Sequence, residues 1–164
     1  MLRAQAEHVD QISDVISTLN KLLCRDNTPG RFVTLFYAVL NGERHKVSYV
    51  NPGHPPAFLF CRDRVISLCS TGPPLGMFAE VVYGQQEMML SVNNLLVAYS
   101  EGVPKAQSVQ DEFFEANVIK EVVAGNRELG VEALADIICE SADRFELGNL
   151  RTRDDKTAVA VRAV

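Results

Sequence analysis

An α+β sandwich is the fold this sequence predicts, and three observations predict it. An early stretch carries apolar residues at helical spacing, the middle of the chain breaks into short β-type segments separated by turn residues, and two more helical stretches precede one closing apolar segment. Strands gathered together and helices gathered together point away from a doubly wound parallel sheet, which needs strict alternation of the two.

From Ala6 onward, Val9, Ile12, Val15, Ile16, Leu19, Leu22 and Leu23 recur at spacings of three and four and predict a helix ending near Cys24. Asp10 and Asp14 fall on its polar face. Asp26, Asn27, Pro29 and Gly30 break it. The segment Phe32 to Leu40 is rich in β-branched and aromatic residues at both alternating positions, which predicts a strand covered on both sides. Asn41-Gly42 is a turn signal, and His45 to Asn51 returns as a second strand with Val47 and Tyr49 on one face. Ala57 to Cys61 and Val65 to Leu68, flanking a polar turn at Asp63, predict another hairpin. A strand is expected within Val81 to Leu90, with Met88 and Met89 as core filler, and a fully apolar strand at Asn94 to Tyr99. Helical spacing resumes at Phe113, Phe114, Val118, Ile119, Val122 and Val123, and again at Val131, Leu134, Ile137, Ile138 and Phe145. Thr157 to Val161 closes the chain as a strand.

The 164 residues suit a single domain, whose core should bury roughly two-thirds of the unfolded chain's surface without disulfides or a structural metal. At 47% apolar and 23% charged, the composition excludes a disordered tail, collagen, a coiled coil and a solenoid. The net charge of −5 comes without any Lys/Arg-rich run, which argues against nucleic acid as a partner. No apolar run is long enough to span a bilayer, and the first residues lack the apolar stretch of a signal peptide, so a cytoplasmic location away from membranes is expected. Cys24, Cys61, Cys69 and Cys139 form no C-x-x-C pair and are expected as reduced, mostly buried thiols; Cys61 and Cys69 packing near each other in a hairpin is favoured over a bond between them.

Three acids stand at predicted strand ends: Glu101 just after one apolar strand, and Asp154 with Asp155 just before another. If those strands are neighbours their carboxylates converge, and a hard divalent cation is the natural compensation for clustered carboxylates at a buried sheet edge. The residues alone leave a second reading open, in which Asp154 and Asp155 are solvated turn residues and Glu101 is a surface charge. His54, between Gly53 and Pro55, reads as a turn residue whose ring bonds nearby backbone, and His8 and His45 as solvated. No second His or Cys stands at zinc-ligand spacing. Ser100 has no Gly-x-Ser-x-Gly elbow and no placed base, so it reads as a strand-end hydroxyl. Gly72-Pro-Pro-Leu-Gly76 lacks the N–H donors of a phosphate cradle and reads as a rigid connection.

Phe32-Val-Thr-Leu-Phe-Tyr37, Tyr49-Val-Asn-Pro-Gly-His-Pro-Pro56, Gly72-Pro-Pro-Leu-Gly76, Leu96-Val-Ala-Tyr-Ser-Glu-Gly102 and Asp154-Asp-Lys-Thr157 stand in the order and spacing of one family. The chain resembles the bacterial SpoIIE/RsbU-type serine/threonine protein phosphatases, a branch of the metal-dependent PPM-type enzymes. The resemblance implies a PPM-like β-sandwich flanked by helices, of which residues 1–164 are the C-terminal portion, N-terminally incomplete. It implies two Mn²⁺ or Mg²⁺ ions that activate water against a phosphoserine or phosphothreonine of a regulatory protein. Residue by residue, the family's Tyr-Thr-Asp-Gly carboxylate falls on Glu101 and the closing Asp-Asp-x-Thr carboxylate on Asp154. Both are metal ligands on this reading, with Asp155 beside them as a supporting catalytic acid.

The implied substrate is a phosphorylated regulator such as an anti-sigma-factor antagonist. The implied setting is signal transduction and sigma-factor regulation, with a homodimer or an N-terminal sensor or receiver domain as the further partner. The family's upstream Gly-Asp-x-x-Asp and Asp-Val-x-Gly-His-Gly segments have no counterpart here, and Glu101 replaces the usual Asp, which sets its carboxylate about 1.5 Å further from the backbone. Asn93-Asn94 stands where Gly-Asp is common. These departures support an alternative: a catalytically inactive module that binds phosphoproteins. The absent strands are also expected to leave a sheet edge and an apolar face open.

Overall fold

The computed structural model describes residues 11–26, 30–147 and 154–164. Its contacts group into two units, one built from Met1–Pro56 with Leu68–Ser91, the other from Ala57–Ser67 with Val92–Val164. The chain order is α1 (Ile12–Asp26), β1 (Tyr37–Asn41), β2 (Lys46–Val50), β3 (Ala57–Phe60), β4 (Val65–Leu68), β5 (Gln86–Met89), β6 (Leu95–Tyr99), α2 (Ala116–Gly125), α3 (Val131–Phe145) and β7 (Ala158–Arg162). This is the expected α+β class, with antiparallel sheets. The opening turns of the expected first helix, with His8 and Asp10, lie outside the described residues.

The first unit holds a three-stranded sheet in the order β1-β2-β5. β1 and β2 form the hairpin expected from Asn41-Gly42, pairing Tyr37 with Val50 through Asn41 with Lys46. Val47 and Tyr49 are both buried, as their shared face predicts. From the other face Val50 joins Ile12 and Ile16 of α1, Leu75 and Tyr83 in one apolar cluster. Two expectations fail at the margins of this sheet. Phe32 to Phe36 form only isolated bridges, Val33 with Leu75 and Leu35 with Gly53, and Phe32, Val33, Val39 and Leu40 are exposed. Met89 is 61% exposed and Met88 half-buried, so neither is core filler. The exposure of Val39, Leu40 and Met89 has one cause: β1 and β5 are edge strands, and burial on both faces belongs to central strands.

Around this sheet the proline- and glycine-rich motifs act as architecture. Asn51 is fully buried, and its side chain accepts from His54 N at 2.8 Å and donates to the Leu68 carbonyl at 3.3 Å. Its carbonyl receives Thr71 N at 2.8 Å and Ser70 Oγ at 3.1 Å. Gly53 has φ +69°, and a Cβ there would stand 2.6 Å from the Pro74 ring; a Cβ on Gly72 would meet the Tyr83 ring at 2.5 Å. The His54 ring lies 3.0 Å from the Pro55 carbonyl, the local backbone bond expected of it. Asn20, buried on α1, takes Gly76 N at 2.8 Å and gives to the Phe78 carbonyl at 2.8 Å, which ties the Gly72–Gly76 connection to the helix.

The second unit holds a four-stranded sheet in the order β4-β3-β6-β7. Central β6 is buried along almost its whole length, since Leu95, Leu96, Val97 and Tyr99 all lose their surface. Phe58, Phe60, Leu95, Val97 and Tyr99 meet Ile119 and Val123 of α2 and Leu134, Ile138 and Ala142 of α3 in one core. β6 pairs antiparallel with β7, from Leu95 opposite Arg162 to Tyr99 opposite Ala158. Among the described residues no helix is long and apolar enough to cross a membrane. All four cysteines are free thiols. Cys69 is exposed and the other three are only half-buried, which corrects the expectation of mostly buried thiols: Cys61 and Cys69 each follow a strand end instead of sitting within the ladder.

Candidate functional site

The β6–β7 pairing carries the two acidic segments to the same end of one sheet. Beyond Tyr99, Ser100 N donates to the Thr157 carbonyl at 2.8 Å, Thr157 N donates to Ser100 Oγ at 2.9 Å, and Ser100 Oγ reaches the Asp155 carbonyl at 3.2 Å. Ser100 is thus a strand-end hydroxyl, as its context predicts, and it clamps the Asp154–Thr157 segment. Gly102 is buried directly against that segment: a Cβ there would clash with the Asp155 carbonyl oxygen and lie 3.1 Å from Asp154 Cβ. Only glycine lets the two backbones come this close.

Residues 101–105 form a turn, with Lys105 N on the Glu101 carbonyl at 3.2 Å. The turn brings the Lys105 ammonium back onto the Glu101 carboxylate at 2.9 Å, an exposed ion pair. Asp154 and Asp155 are both exposed. The structure therefore brings the backbones of Glu101-Gly102 and Asp154-Asp155 together, while Glu101's own ion pair is with a lysine. Asp14, exposed on α1, lies in the other unit, on the polar face assigned to it.

Lys156, inside the same motif, escaped the sequence reading. Its side chain is only 7% exposed and is held by Glu146 at 2.6 Å and Asp143 at 3.0 Å, both at the end of α3. Burial alone would lower its pKa, but the hydrogen bonds and charges of Glu146 and Asp143 outweigh burial and raise it. Glu146 is itself buried, which makes this a desolvated pair and fixes the Asp154–Thr157 segment to α3. The available signal was a lysine flanked by acids and threonine; that it turns inward is a property of the packing.

Carboxylate oxygens are the donors that Mn²⁺ and Mg²⁺ take, so the chemistry of Glu101 and Asp154 suits such an ion. Among the described residues no group of three His, Cys, Asp or Glu side chains stands close enough to hold one. The residues present fit a contribution to a metal centre.

Solved structures share this fold. The PP2C phosphatase domain of SpoIIE with a fragment of its regulatory domain, from Bacillus subtilis, superposes with a TM-score of 0.78 at 21% identity, over 98% of this chain and 47% of that one. The RsbU and RsbW domains of a Mycobacterium tuberculosis protein give 0.73 at 19% identity, over 98% and 45%. The fold is therefore that of a PP2C-type phosphatase domain. The family profile described as Stage II sporulation protein E (SpoIIE) matches residues 1–164, and the chain belongs to that family. Among curated relatives, Protein IcfG of Synechocystis is 31% identical over 79% of this chain and 20% of its own length. Phosphoserine phosphatase RsbU of Bacillus subtilis is 24% identical over 92% and 44%. The chain thus spans less than half the length of either.

Proposed function

We propose that residues 1–164 are the C-terminal portion of a metal-dependent serine/threonine protein phosphatase domain that acts on a phosphorylated regulatory protein. Glu101 and Asp154 contribute carboxylates to its Mn²⁺ or Mg²⁺ centre, and Asp155 supports them. The observation that carries this reading is the close approach of Gly102 to Asp154 and Asp155, which sets the two acidic segments side by side at one end of the sheet. When bound, the metal pair supplies a polarised phosphoryl group and an activated water. The chain's own part is to hold the acids: Ser100 and Gly102 seat the segment from one side, and Lys156 anchors it to α3 from the other.

Membership in the SpoIIE family and likeness to a protein named phosphoserine phosphatase support this substrate class. Signal transduction through sigma-factor regulation is the setting that the resemblance implies. The test is hydrolysis of a phosphoserine peptide by the full chain with Mn²⁺, alone and with Asp154→Asn or Glu101→Gln. Turnover that either variant abolishes while keeping its thermal unfolding midpoint supports the proposal. Calorimetry showing no Mn²⁺ uptake at millimolar concentration would leave the inactive phosphoprotein-binding module, a reading that the Glu101–Lys105 ion pair favours.

A further inference from the structure

At the opposite end of the β6–β7 ladder, about 20 Å along the strands from Glu101 and Asp154, the second unit contains a cavity of about 570 Å³ lined by Arg62, Val92, Asn93, Asn94, Arg127, Glu128 and Arg162. Three separate connections supply its arginines: the β3–β4 turn gives Arg62, the segment between α2 and α3 gives Arg127, and the end of β7 gives Arg162.

Two of these guanidinium groups are held in place. Arg127 Nη1 donates to the Cys61 carbonyl at 2.7 Å and Nη2 to the Phe60 carbonyl at 3.2 Å. Arg162 Nη2 donates to the carbonyls of Arg127 at 2.7 Å and Leu129 at 2.8 Å. Carbonyl oxygens orient a guanidinium without neutralising it, and each fork keeps further N–H groups. Among the described residues no carboxylate forms an ion pair with any of the three arginines. Arg62 is exposed and makes no side-chain hydrogen bond or ion pair among the described residues, and the acid of the lining, Glu128, is exposed as well. The floor is pinned by Asn93 N on the Ala163 carbonyl at 2.8 Å and Ala163 N on the Asn94 carbonyl at 2.9 Å. In a chain of net charge −5, three arginines against one glutamate make this a local excess of positive charge, two of whose guanidiniums are held in place.

We propose that this cavity binds a phosphate-bearing small molecule, at a site separate from the Glu101–Asp154 end of the ladder. Forked guanidinium donors from several directions suit a multi-oxygen dianion better than a single carboxylate. The volume exceeds that of a bare anion and leaves room for an organic portion beside Val92.

The test is an NMR titration of the full chain, metal-free in EDTA, with inorganic phosphate, using succinate as the carboxylate control. Phosphate is expected to move the amides of residues 92–94, 127–129 and 162–163 saturably and to leave residues 100–102 and 154–157 unmoved. Because Arg62 is exposed and has no side-chain hydrogen bond or ion pair among the described residues, Arg62→Glu should fold normally and weaken binding by about tenfold. Absence of saturable shifts, shifts confined to other residues, an equal response to succinate, or unchanged affinity in Arg62→Glu would each overturn the proposal.

Discussion

Ser100 and Thr157 clasp each other across the end of the β6–β7 ladder: the backbone N–H of Ser100 meets the Thr157 carbonyl at 2.8 Å, and the Thr157 N–H meets the Ser100 hydroxyl at 2.9 Å. The side-chain half of this clasp continues the sheet one step past its last strand residue, where the acids begin. Substituting Ser100→Ala leaves the Thr157 N–H without that acceptor and is expected to cost about 1 kcal/mol, read from urea unfolding.

Gly102 makes a sharper prediction. A methyl group at this position collides with backbone, which cannot swing aside as a side-chain end does. Gly102→Ala is expected to destabilise the chain by about 1–3 kcal/mol and, on the proposed function, to reduce Mn²⁺ affinity through displacement of Asp154 and Asp155. Calorimetric titration with Mn²⁺ beside thermal unfolding checks both.

Lys156→Met should be among the most damaging single changes to the second unit. It strands the buried Glu146 carboxylate and is expected to cost about 3–5 kcal/mol, measured by urea denaturation. Adding Glu146→Gln to the same chain removes the orphaned charge, and part of the lost stability should return.

Alkaline pH should destabilise the protein through Tyr99 and Lys156. Burial pushes the Tyr99 hydroxyl up to about 12, from an ordinary value of 10. Burial would lower the Lys156 ammonium, but its two acidic partners reverse that and hold it above its ordinary value. Both groups bind their proton more tightly when folded. The stability they contribute is therefore complete below about pH 10 and is withdrawn as pH rises through their folded values. Tyr99→Phe should flatten the decline between about pH 10 and 12, by about 2 kcal/mol across that window, as followed by circular dichroism.

Glu101→Asp restores the acid that the family resemblance leads one to expect and withdraws the carboxylate by about one methylene, 1.5 Å. If the proposed metal centre is right, Mn²⁺ affinity should rise, because near-ideal octahedral geometry rewards ligand placement. An unchanged affinity by calorimetry would show that Glu101 is not a ligand, and a weaker one that the site is matched to the longer side chain.

Most of the fold was legible because its elements have strong local signatures. The alternation through Lys46–Val50, the unbroken apolar run of Leu95–Tyr99 and the helical spacing of Val131–Phe145 each identify an element without reference to any other. Exposure at the sheet margins was not legible. The residues of Phe32–Leu40 look equally apolar on a central or an edge strand, and only strand order tells the two apart.

The candidate site divides in the same way. Residue type and motif register single out Glu101, Asp154 and Asp155 from the sequence alone, since an acid beside a strand is a local pattern. Tertiary structure alone decided that residues 100–102 and 154–157 share one sheet end, that Lys156 turns inward to Glu146, and that Arg62, Arg127 and Arg162 converge on one cavity. The physical reason is that hydrophobic periodicity records which face of an element is buried. The partner that element meets is set by strand pairing and packing between residues far apart in the chain, and no local pattern encodes it.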